Sequence, residues 1–329
     1  MDTTFVYGPA LSYLTEEDQQ KYSAEFKRYL QKAWREDVAL NELKGYYLLT
    51  AFEPVTAQYA YNLWNPNADD VIVASYAKTG TTWMRELVRH MIYLHDEEML
   101  RKTSAMHFFF AYLEYGPESK YEVLKKLNFP RKVMGTHLPA PLINFKKLKE
   151  RETKVIYMIR NPKDQAVSWY HFSKTQPYAD LPPYKDMYTT DKKKYFDEYI
   201  AGEQKLFAKK GEGYLEHLKE WYPHQNDSNV LFVYYEDLKK DLKQGIKRVS
   251  KFLDVVLSDE DVDMITEKTS LDSMKKSREK TEDSFFKHVR KGVVGGWKNY
   301  LTVAQSELID KKVKEILGDT NLKFTYELE

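Results

Sequence analysis

A lysine, a glycine and two threonines lie where a strand-like segment meets a helix-like one. The segment VIVASY, residues 71–76, is apolar and rich in β-branched residues, and Lys78, Gly80, Thr81 and Thr82 follow it. The first N–H groups of a helix have no partner within the helix, and the helix dipole makes that end positive. Because Lys78 adds a full charge, the segment predicts a binding site for a phosphorylated or sulfated ligand.

The order of these residues differs from that of the common nucleotide-binding loop. That loop reads G-x-x-x-x-G-K-[ST], with its lysine after the last glycine and a hydroxyl group placed for magnesium. Here Lys78 precedes Gly80, and Ser75 stands where the first glycine would be. A lysine before the turn can reach the leaving end of a bound phosphate without a metal bridge, so we expect no metal. The alternative is a strand-to-helix junction without special chemistry.

A second candidate anion site begins at Arg160, in the segment RNPKDQAVS, residues 160–168. Asn161 is a favourable N-cap and Pro162 suits the first helical position, so a helix should begin here. An arginine before a capped helix can bind phosphate through its fork of N–H donors, and Ser168 should lie two turns into that helix. The alternative is that Arg160 pairs with a surface carboxylate.

A third candidate segment is RKGVVGGWKN, residues 290–299, which holds three of the 13 glycines of the chain. Arg290 and Lys291 offer N–H donors, and Gly292 would let backbone N–H groups approach an anion closely. The alternative is a solvated basic turn. Thr302 and Gln305 then have the form of a capping box and predict the start of a last amphipathic helix.

A parallel sheet must position these side chains. Strand-like runs at 71–76, 132–137, 154–159 and 230–235 alternate with helical patterns, which predicts an α/β fold with a parallel β-sheet flanked by helices. Ligands of such sheets bind at the carboxyl ends of the strands. Lys78 and Arg160 follow two of these runs and His137 and Tyr235 end the other two, so we expect all four along one edge. His137 there could accept the proton of an alcohol or phenol, although a lone histidine is often structural.

Composition restricts the function further. The chain has 329 residues, with 51 basic and 50 acidic side chains and no cysteine. The balanced charge argues against a nucleic-acid surface, and the absence of cysteine excludes disulfides and thiolate catalysis. No secretory signal or membrane-spanning run is visible, so we expect a cytoplasmic protein without membrane contact. Residues 1–45 look helical and polar, and we interpret them as an extension of a single domain at 46–329.

Taken together and in this order, the three segments resemble the cytosolic sulfotransferase family. YAKTGTTW (76–83) is similar to the family's loop for a 5′-phosphosulfate, RNPKDQAVS to its 3′-phosphate segment, and RKGVVGGWK (290–298) to its C-terminal signature. The resemblance extends from about residue 45 to the C terminus. It implies a P-loop-like fold, the donor 3′-phosphoadenosine 5′-phosphosulfate (PAPS), the product 3′-phosphoadenosine 5′-phosphate (PAP), and sulfuryl transfer to the hydroxyl of a small acceptor.

The resemblance also implies a role for each matching residue. His137 would take the acceptor's proton, Lys78 would hold the bridging oxygen of the donor, and Ser168 would restrain Lys78 until the acceptor arrives. The donor-binding residues would be Lys78, Thr79, Gly80, Thr81, Thr82, Trp83, Arg160, Ser168, Tyr235, Thr269, Arg290, Lys291 and Gly292. The short motif of Lys298, Thr302, Val303 and Glu307 resembles the family's dimerisation motif and implies a homodimer.

Four positions depart from the family pattern. Ala77 replaces a frequent proline, Gly135 stands where a lysine often precedes the histidine by two residues, Leu271 replaces an aromatic residue near the adenine, and Gly296 replaces an acidic residue. We expect a looser turn at Ala77, one positive charge fewer near the transferred group, one stacking partner fewer, and altered pairing in the last glycine turn.

The acceptor is predicted from aromatic residues alone. Phe52, Phe110, Tyr112 and Tyr115, together with His137, are the expected walls, and the Pro- and Tyr-rich loop at 176–194 could close over them. Such walls suit a phenol, a steroid-like alcohol or another flat hydroxyl compound, although core packing explains the same aromatic residues.

Other functions fit parts of the pattern. An ATP-dependent small-molecule kinase of the P-loop class would also bind a phosphorylated donor, but the position of Lys78 before Gly80 argues against it. A sulfonation-driven dehydratase on the same fold would use the same donor and release a dehydrated product. A noncatalytic nucleotide-binding protein would have no need of both Lys78 and His137.

Overall fold

The structure is a computed structural model that describes residues 9–33, 40–49, 51–104, 108–174, 185, 189–204, 206–279 and 292–328. Most of the loop that we expected to close over the site lies outside these residues. Arg290 and Lys291 also lie outside them. Gly292 is the first residue described after that gap.

A parallel four-stranded sheet carries the fold, as the sequence predicted. Its strands are β3 (Val71–Ser75), β4 (Val133–Thr136), β5 (Lys154–Ile159) and β6 (Val230–Tyr234). Their spatial order is β4-β3-β5-β6, with Val71 opposite both Val133 and Lys154. The chain leaves β3 to one side for β4 and then crosses to the other side for β5. The carboxyl end of β3 is therefore the switch point at which a ligand crevice forms in such sheets.

Hydrophobic clusters cover both faces of the sheet. Successive side chains of a strand point to opposite faces. The side chains divide between two hydrophobic clusters: Ile72, Ala74, Val155 and Tyr157 lie in one, and Val71, Val73, Ile156 and Met158 in the other. All of these side chains are buried. This explains why the strands read as continuous apolar runs rather than alternating ones.

Helices flank the sheet and connect its strands. Their bounds are α1 (Glu16–Ala33), α2 (Pro54–Asn62), α3 (Thr81–Tyr93), α4 (Glu97–Ser104), α5 (Phe108–Ala111), α6 (Lys120–Leu127), α7 (Phe145–Glu150), α8 (Pro162–Ser173), α9 (Lys192–Ile200), α10 (Tyr214–Trp221), α11 (Tyr235–Lys240), α12 (Leu242–Phe252), α13 (Asp259–Lys268), α14 (Leu271–Glu279) and α15 (Val303–Leu317). Short 3₁₀ helices lie at Ala140–Leu142, Tyr222–His224 and Gly296–Asn299. Among the described residues, none of these helices is both long and apolar enough to cross a membrane.

The caps at two helix starts agree with the sequence, and one helix differs from it. The Asn161 side chain accepts a hydrogen bond from the Asp164 N–H, and Thr302 forms the expected capping box with Gln305. The apolar spacing of Leu238, Leu242, Ile246, Val249 and Leu253 predicts one helix after β6, but the structure has two, which meet at Asp241. Its carboxylate caps α12 by accepting from the Gln244 N–H, and this competing local hydrogen bond ends α11.

The first 45 residues are only partly helical. Helix α1 buries Tyr22, Phe26 and Leu30 in the main hydrophobic cluster, but β1 (Leu40–Leu43) pairs with β2 (Tyr46–Leu49) as an antiparallel hairpin. Lys44 and Gly45 both have positive φ, which suits a two-residue hairpin turn. The boundary that we predicted at residue 45 thus falls within a hairpin, and the division into extension and domain stays a prediction.

Candidate active site

The loop between β3 and α3 is shaped to present N–H groups. Thr79 donates its hydroxyl to the Tyr76 carbonyl over 2.8 Å, and Lys78 and Gly80 have positive φ values of 71° and 113°. A Cβ at Gly80 would lie only 3.0 Å from the Tyr235 ring, so this position requires glycine. The loop therefore delivers the chain tightly into the amino end of α3 at Thr81.

Arg160 follows β5 and links the loop to two other segments. Its guanidinium donates to the carbonyls of Lys78 (3.3 Å) and Val293 (3.4 Å) and lies 4.4 Å from the centre of the Tyr235 ring. Its Nε is buried and has no hydrogen-bond partner among the described residues. A buried N–H without an acceptor is costly, so Arg160 retains donor capacity that an anion beside the loop would satisfy.

An aromatic corner lies beside the same loop. The rings of Trp83 and Tyr235 meet edge to face at 5.4 Å, and Trp83 donates its indole N–H to the carbonyl of buried Thr269 over 3.0 Å. Gly292 has φ of 60°, and a Cβ there would lie 3.3 Å from Leu271. Leu271, which replaces an aromatic residue of the family pattern, therefore packs at this corner. Trp83 is held in place there by its hydrogen bond to the Thr269 carbonyl.

The turn at Gly295 and Gly296 is paired by a carboxylate from another element. Asp164 accepts hydrogen bonds from the N–H groups of Gly295 (2.8 Å) and Trp297 (2.9 Å). A Cβ at Gly296 would lie 3.7 Å from the same carboxylate. An acidic side chain at position 296 would therefore place a second negative charge near Asp164. The hydrogen bonds of the turn form without such a side chain.

His137 lies directly after β4 with its imidazole in a defined tautomer. Its Nδ1 lies 2.8 Å from the carbonyl of Ser75, and because a carbonyl can only accept, Nδ1 carries the proton. The Nε2 lone pair is then available as a proton acceptor. Burial lowers the pKa of His137 to about 4, and the positive charges of Lys78 and Arg85 act in the same direction. The imidazole is therefore neutral at physiological pH.

The backbone of His137 is held from both sides by residues that sequence reasoning missed. Glu114 accepts from the His137 N–H (2.7 Å) and the Thr136 hydroxyl (2.9 Å), and His217 Nε2 lies 3.2 Å from the His137 carbonyl. Glu114 is fully buried, as is Lys120, which donates to the carbonyls of Tyr112 and Tyr115. Glu114 could have been noticed as the acidic residue within the aromatic segment 107–115.

The predicted acceptor walls divide into two groups. The Tyr112 ring lies 4.9 Å from the His137 ring. Phe207 connects Phe52 to His137, with its ring 5.0 Å from that of Phe52 and 5.3 Å from that of His137. Tyr115 packs edge to face on Phe52. Phe110 instead packs on Phe26 of α1 and is fully buried. Its position is explained by core packing, because α1 covers that side.

Phe207 is the aromatic neighbour of His137 that the sequence did not reveal. The Phe207 N–H donates to the Tyr47 carbonyl, and the Tyr47 N–H donates to the Ala208 carbonyl. These bonds attach the segment to the edge of β2. The hairpin near the amino terminus therefore helps to place an aromatic ring beside His137.

Lys78 and Ser168 lie on facing elements. The Lys78 ammonium group is 4.0 Å from the centre of the Phe172 ring on α8. Ser168 is half-buried one turn earlier on α8, on the same face as Phe172, because residues four apart share a helix face. Thr81 on the other side of the loop bonds the Ser75 hydroxyl at 2.5 Å, which joins the loop to the strand end next to His137.

Comparison with known proteins decides the family. The sulfotransferase domain model matches residues 68–321. This chain belongs to the sulfotransferase family. It is similar to mouse sulfotransferase 1B1, with 30% identity over 308 residues that cover 90% of this chain and 97% of that protein. It is also similar to rabbit amine sulfotransferase, with 32% identity over 274 residues that cover 79% and 84% of the two chains.

Among solved structures, the sulfotransferase resembles mouse sulfotransferase SULT7A1 in complex with PAP. The two share 27% identity and a TM-score of 0.69 over 86% of this chain and 96% of that one. The enzyme class and the donor that the sequence motifs predicted, a sulfotransferase that uses PAPS, are thereby confirmed.

Proposed function

We propose that this sulfotransferase transfers the sulfuryl group of PAPS to a hydroxyl of a small, mainly hydrophobic acceptor, with His137 as the general base. The observation that carries the proposal is the tautomer of His137. Its Nδ1–H is committed to the Ser75 carbonyl, so Nε2 is left to accept a proton at the strand edge where Lys78 also lies. A phenol has a pKa of about 10, so a positioned base assists its deprotonation at neutral pH.

The donor fits the residues that the fold gathers. The β3–α3 loop and the N-terminus of α3 would bind the 5′-phosphate through Thr79, Gly80, Thr81 and Thr82. Arg160, whose buried Nε has no hydrogen-bond partner among the residues that the structure describes, would bind the 3′-phosphate together with Ser168, Arg290, Lys291 and Gly292. The corner of Trp83, Tyr235 and Thr269 would hold the adenine.

Positioning and electrostatics supply the rest of the catalysis. Sulfuryl transfer, like phosphoryl transfer, is an in-line displacement that spreads charge over the transferred group. Lys78 would stabilise the bridging oxygen as it becomes the leaving group, and Ser168 on the facing helix would hold Lys78 when no acceptor is bound. Phe52, Tyr112, Tyr115 and Phe207 give the acceptor side its aromatic character, which suits a phenol or a flat alcohol.

Donor recognition can be tested by calorimetry with PAP and with ATP–Mg²⁺. We expect PAP to bind and ATP–Mg²⁺ to bind at least about tenfold more weakly, because Arg160 and its partners select for a 3′-phosphate. Arg160→Gln should weaken PAP binding, whereas Arg131→Gln, which changes an arginine at the amino end of β4, should not. Undetectable PAP binding by the folded protein would contradict the proposal, and preferential ATP–Mg²⁺ binding would indicate the kinase.

The acceptor is best sought with labelled donor and a library of phenols, alcohols and amines. Amines belong in the library because a 32% identical relative is an amine sulfotransferase. Mass measurement of each product separates a sulfated product from a dehydrated one. A dehydrated product would indicate the elimination reaction on the same fold.

We further propose that the enzyme is a homodimer through the motif of Lys298, Thr302, Val303 and Glu307. Val303 is 76% exposed at the start of α15 and Glu307 is exposed one turn later, so both side chains are accessible to a second copy of the chain. Val303→Glu should convert the dimer to a monomer with activity largely kept, as measured by light scattering. A wild-type monomer at micromolar concentration would refute the dimer. The cytoplasmic location stays a prediction, which cell fractionation can check.

A further inference from the structure

An arginine beside His137 has no role in the function described so far. Arg85 lies one turn into α3, and its side chain packs against the strand β4 that leads to His137. A Cβ built on Gly135 would lie 3.2 Å from the Arg85 Cδ. Arg85 therefore occupies the space next to Gly135, two residues before His137 in the chain.

The guanidinium of Arg85 is only partly compensated within the fold, because the Tyr112 phenol is a polar partner and the Glu86 carboxylate attracts it without forming an ion pair. In the described part of the chain, its Nε is buried without a hydrogen-bond partner, and no carboxylate lies within ion-pair distance of it. The next arginine of the same helix, Arg89, shows the contrast: it pairs with Glu86 at 2.7 Å and donates to the Leu100 carbonyl and the Thr103 hydroxyl. A half-buried guanidinium without a carboxylate retains donors and charge that a ligand can use.

Arg85 and His137 share Tyr112 as a neighbour. Its guanidinium carbon lies 5.5 Å from the centre of the Tyr112 ring, and Tyr112 lies 4.9 Å from the His137 ring. Burial raises the pKa of Tyr112, which keeps its phenol neutral, and the positive charge of Arg85 opposes that shift. Arg85 and Lys78 both act to lower the pKa of His137, so both charges lie within electrostatic range of the imidazole.

We propose that Arg85 is an additional anion-binding residue of the active site, whose guanidinium binds an anionic oxygen held beside His137. This rests on the proposed function, since the transferred sulfuryl group brings such oxygens to His137 in every turnover. A carboxylate on the acceptor offers the same chemistry and is the second source. Arg85 thus supplies from helix α3 a positive charge that Gly135 on strand β4 cannot supply.

The first experiment compares Arg85→Gln and Arg85→Lys with the matched variant Arg89→Gln. If Arg85 binds the sulfuryl oxygens, kcat of Arg85→Gln should fall roughly 10²-fold, which is the usual cost of losing one preorganised donor. The fall should be the same for a neutral phenol and for a phenol that bears a carboxylate. Arg85→Lys, which keeps the charge, should recover part of the loss. If the acceptor carboxylate is the source, only the carboxylate-bearing phenol should lose activity, through a raised KM. Arg89→Gln should lower thermal stability and leave kcat within about twofold.

The second experiment needs no turnover and so separates this inference from the proposed function. Inorganic sulfate is titrated into the wild type and Arg85→Gln with PAP present, and the His137 imidazole is followed by NMR. The groups around that imidazole are Lys78, Arg85 and Tyr112, with Glu114 and His217 at its backbone. We expect weaker sulfate binding and a higher His137 pKa in Arg85→Gln. Unchanged sulfate binding and unchanged kcat in that variant would overturn the inference, even if the wild type sulfates its acceptor.

Discussion

His137→Ala is expected to lower the rate of sulfuryl transfer by roughly 10²- to 10⁴-fold while PAP binding persists, because the variant loses the base and keeps the anion site. His137→Gln should be equally slow, since an amide retains hydrogen bonding without accepting a proton. The measurement is single-turnover transfer from labelled PAPS to a phenol, with PAP affinity measured in parallel. His224→Gln is the matched control, because its imidazole stacks on Phe145 away from the strand ends.

The pH dependence gives a second measurement of the same residue. The pKa of His137 is lowered to about 4, from an ordinary value of 6.5. A lowered pKa means that the folded protein binds the proton more weakly, so Nε2 stays a base as the pH falls through 6.5 and is lost only near 4. NMR titration of the donor-free enzyme should therefore show His137 neutral at pH 6. Near-wild-type turnover by His137→Ala on every accepted substrate would refute the assignment of the base.

Lys78→Ala is expected to lower kcat by roughly 10²- to 10³-fold, the cost of removing one preorganised positive donor from a developing charge. The loop itself should persist, because its shape is fixed by the Thr79 hydroxyl bond to Tyr76 and by the glycine at 80. The affinity for PAPS should fall much less than kcat, because the bridging oxygen gains its charge only as its bond to sulfur breaks. Single-turnover kinetics combined with calorimetry measures both quantities.

Lys154→Ala is a matched control for that experiment. Lys154 also lies over an aromatic ring, 5.2 Å from the centre of Phe252, but it begins β5 and so lies at the amino ends of the strands. Its loss should leave kcat unchanged. If Lys78→Ala lost PAPS affinity and kcat by the same factor, Lys78 would be a ground-state binding residue rather than one that stabilises the leaving group.

The position of His137 depends both on the sheet and on residues outside the sheet. The strand β4 brings the residue to the switch point, and the Ser75 carbonyl at the end of β3 fixes its tautomer. Glu114 and His217, from outside the sheet, then hold its two peptide groups. Three elements distant in sequence must therefore pack correctly before one nitrogen is presented to an acceptor.

The parallel sheet, the loop at Lys78, the capped helix after Arg160 and the residues at the strand ends could all be predicted from sequence patterns. Each of these is encoded locally, by an apolar run, a glycine turn or a cap whose hydrogen bonds span only a few residues. The break at Asp241 was missed although its cap is also local, because the apolar spacing of the helix continues across it. The hairpin at Leu40–Leu49 was missed because its stability depends on what packs against it.

The side chains that surround His137 come together only through packing between elements. Glu114, Phe207 and His217 come from separate elements, and no spacing in the sequence relates them to a histidine after β4. Packing also separated Phe110, which contacts α1, from Tyr112, two residues away and next to His137. The physical reason is that hydrogen-bond partners and burial are set by distances between elements, whereas sequence patterns report only periodicity within one element.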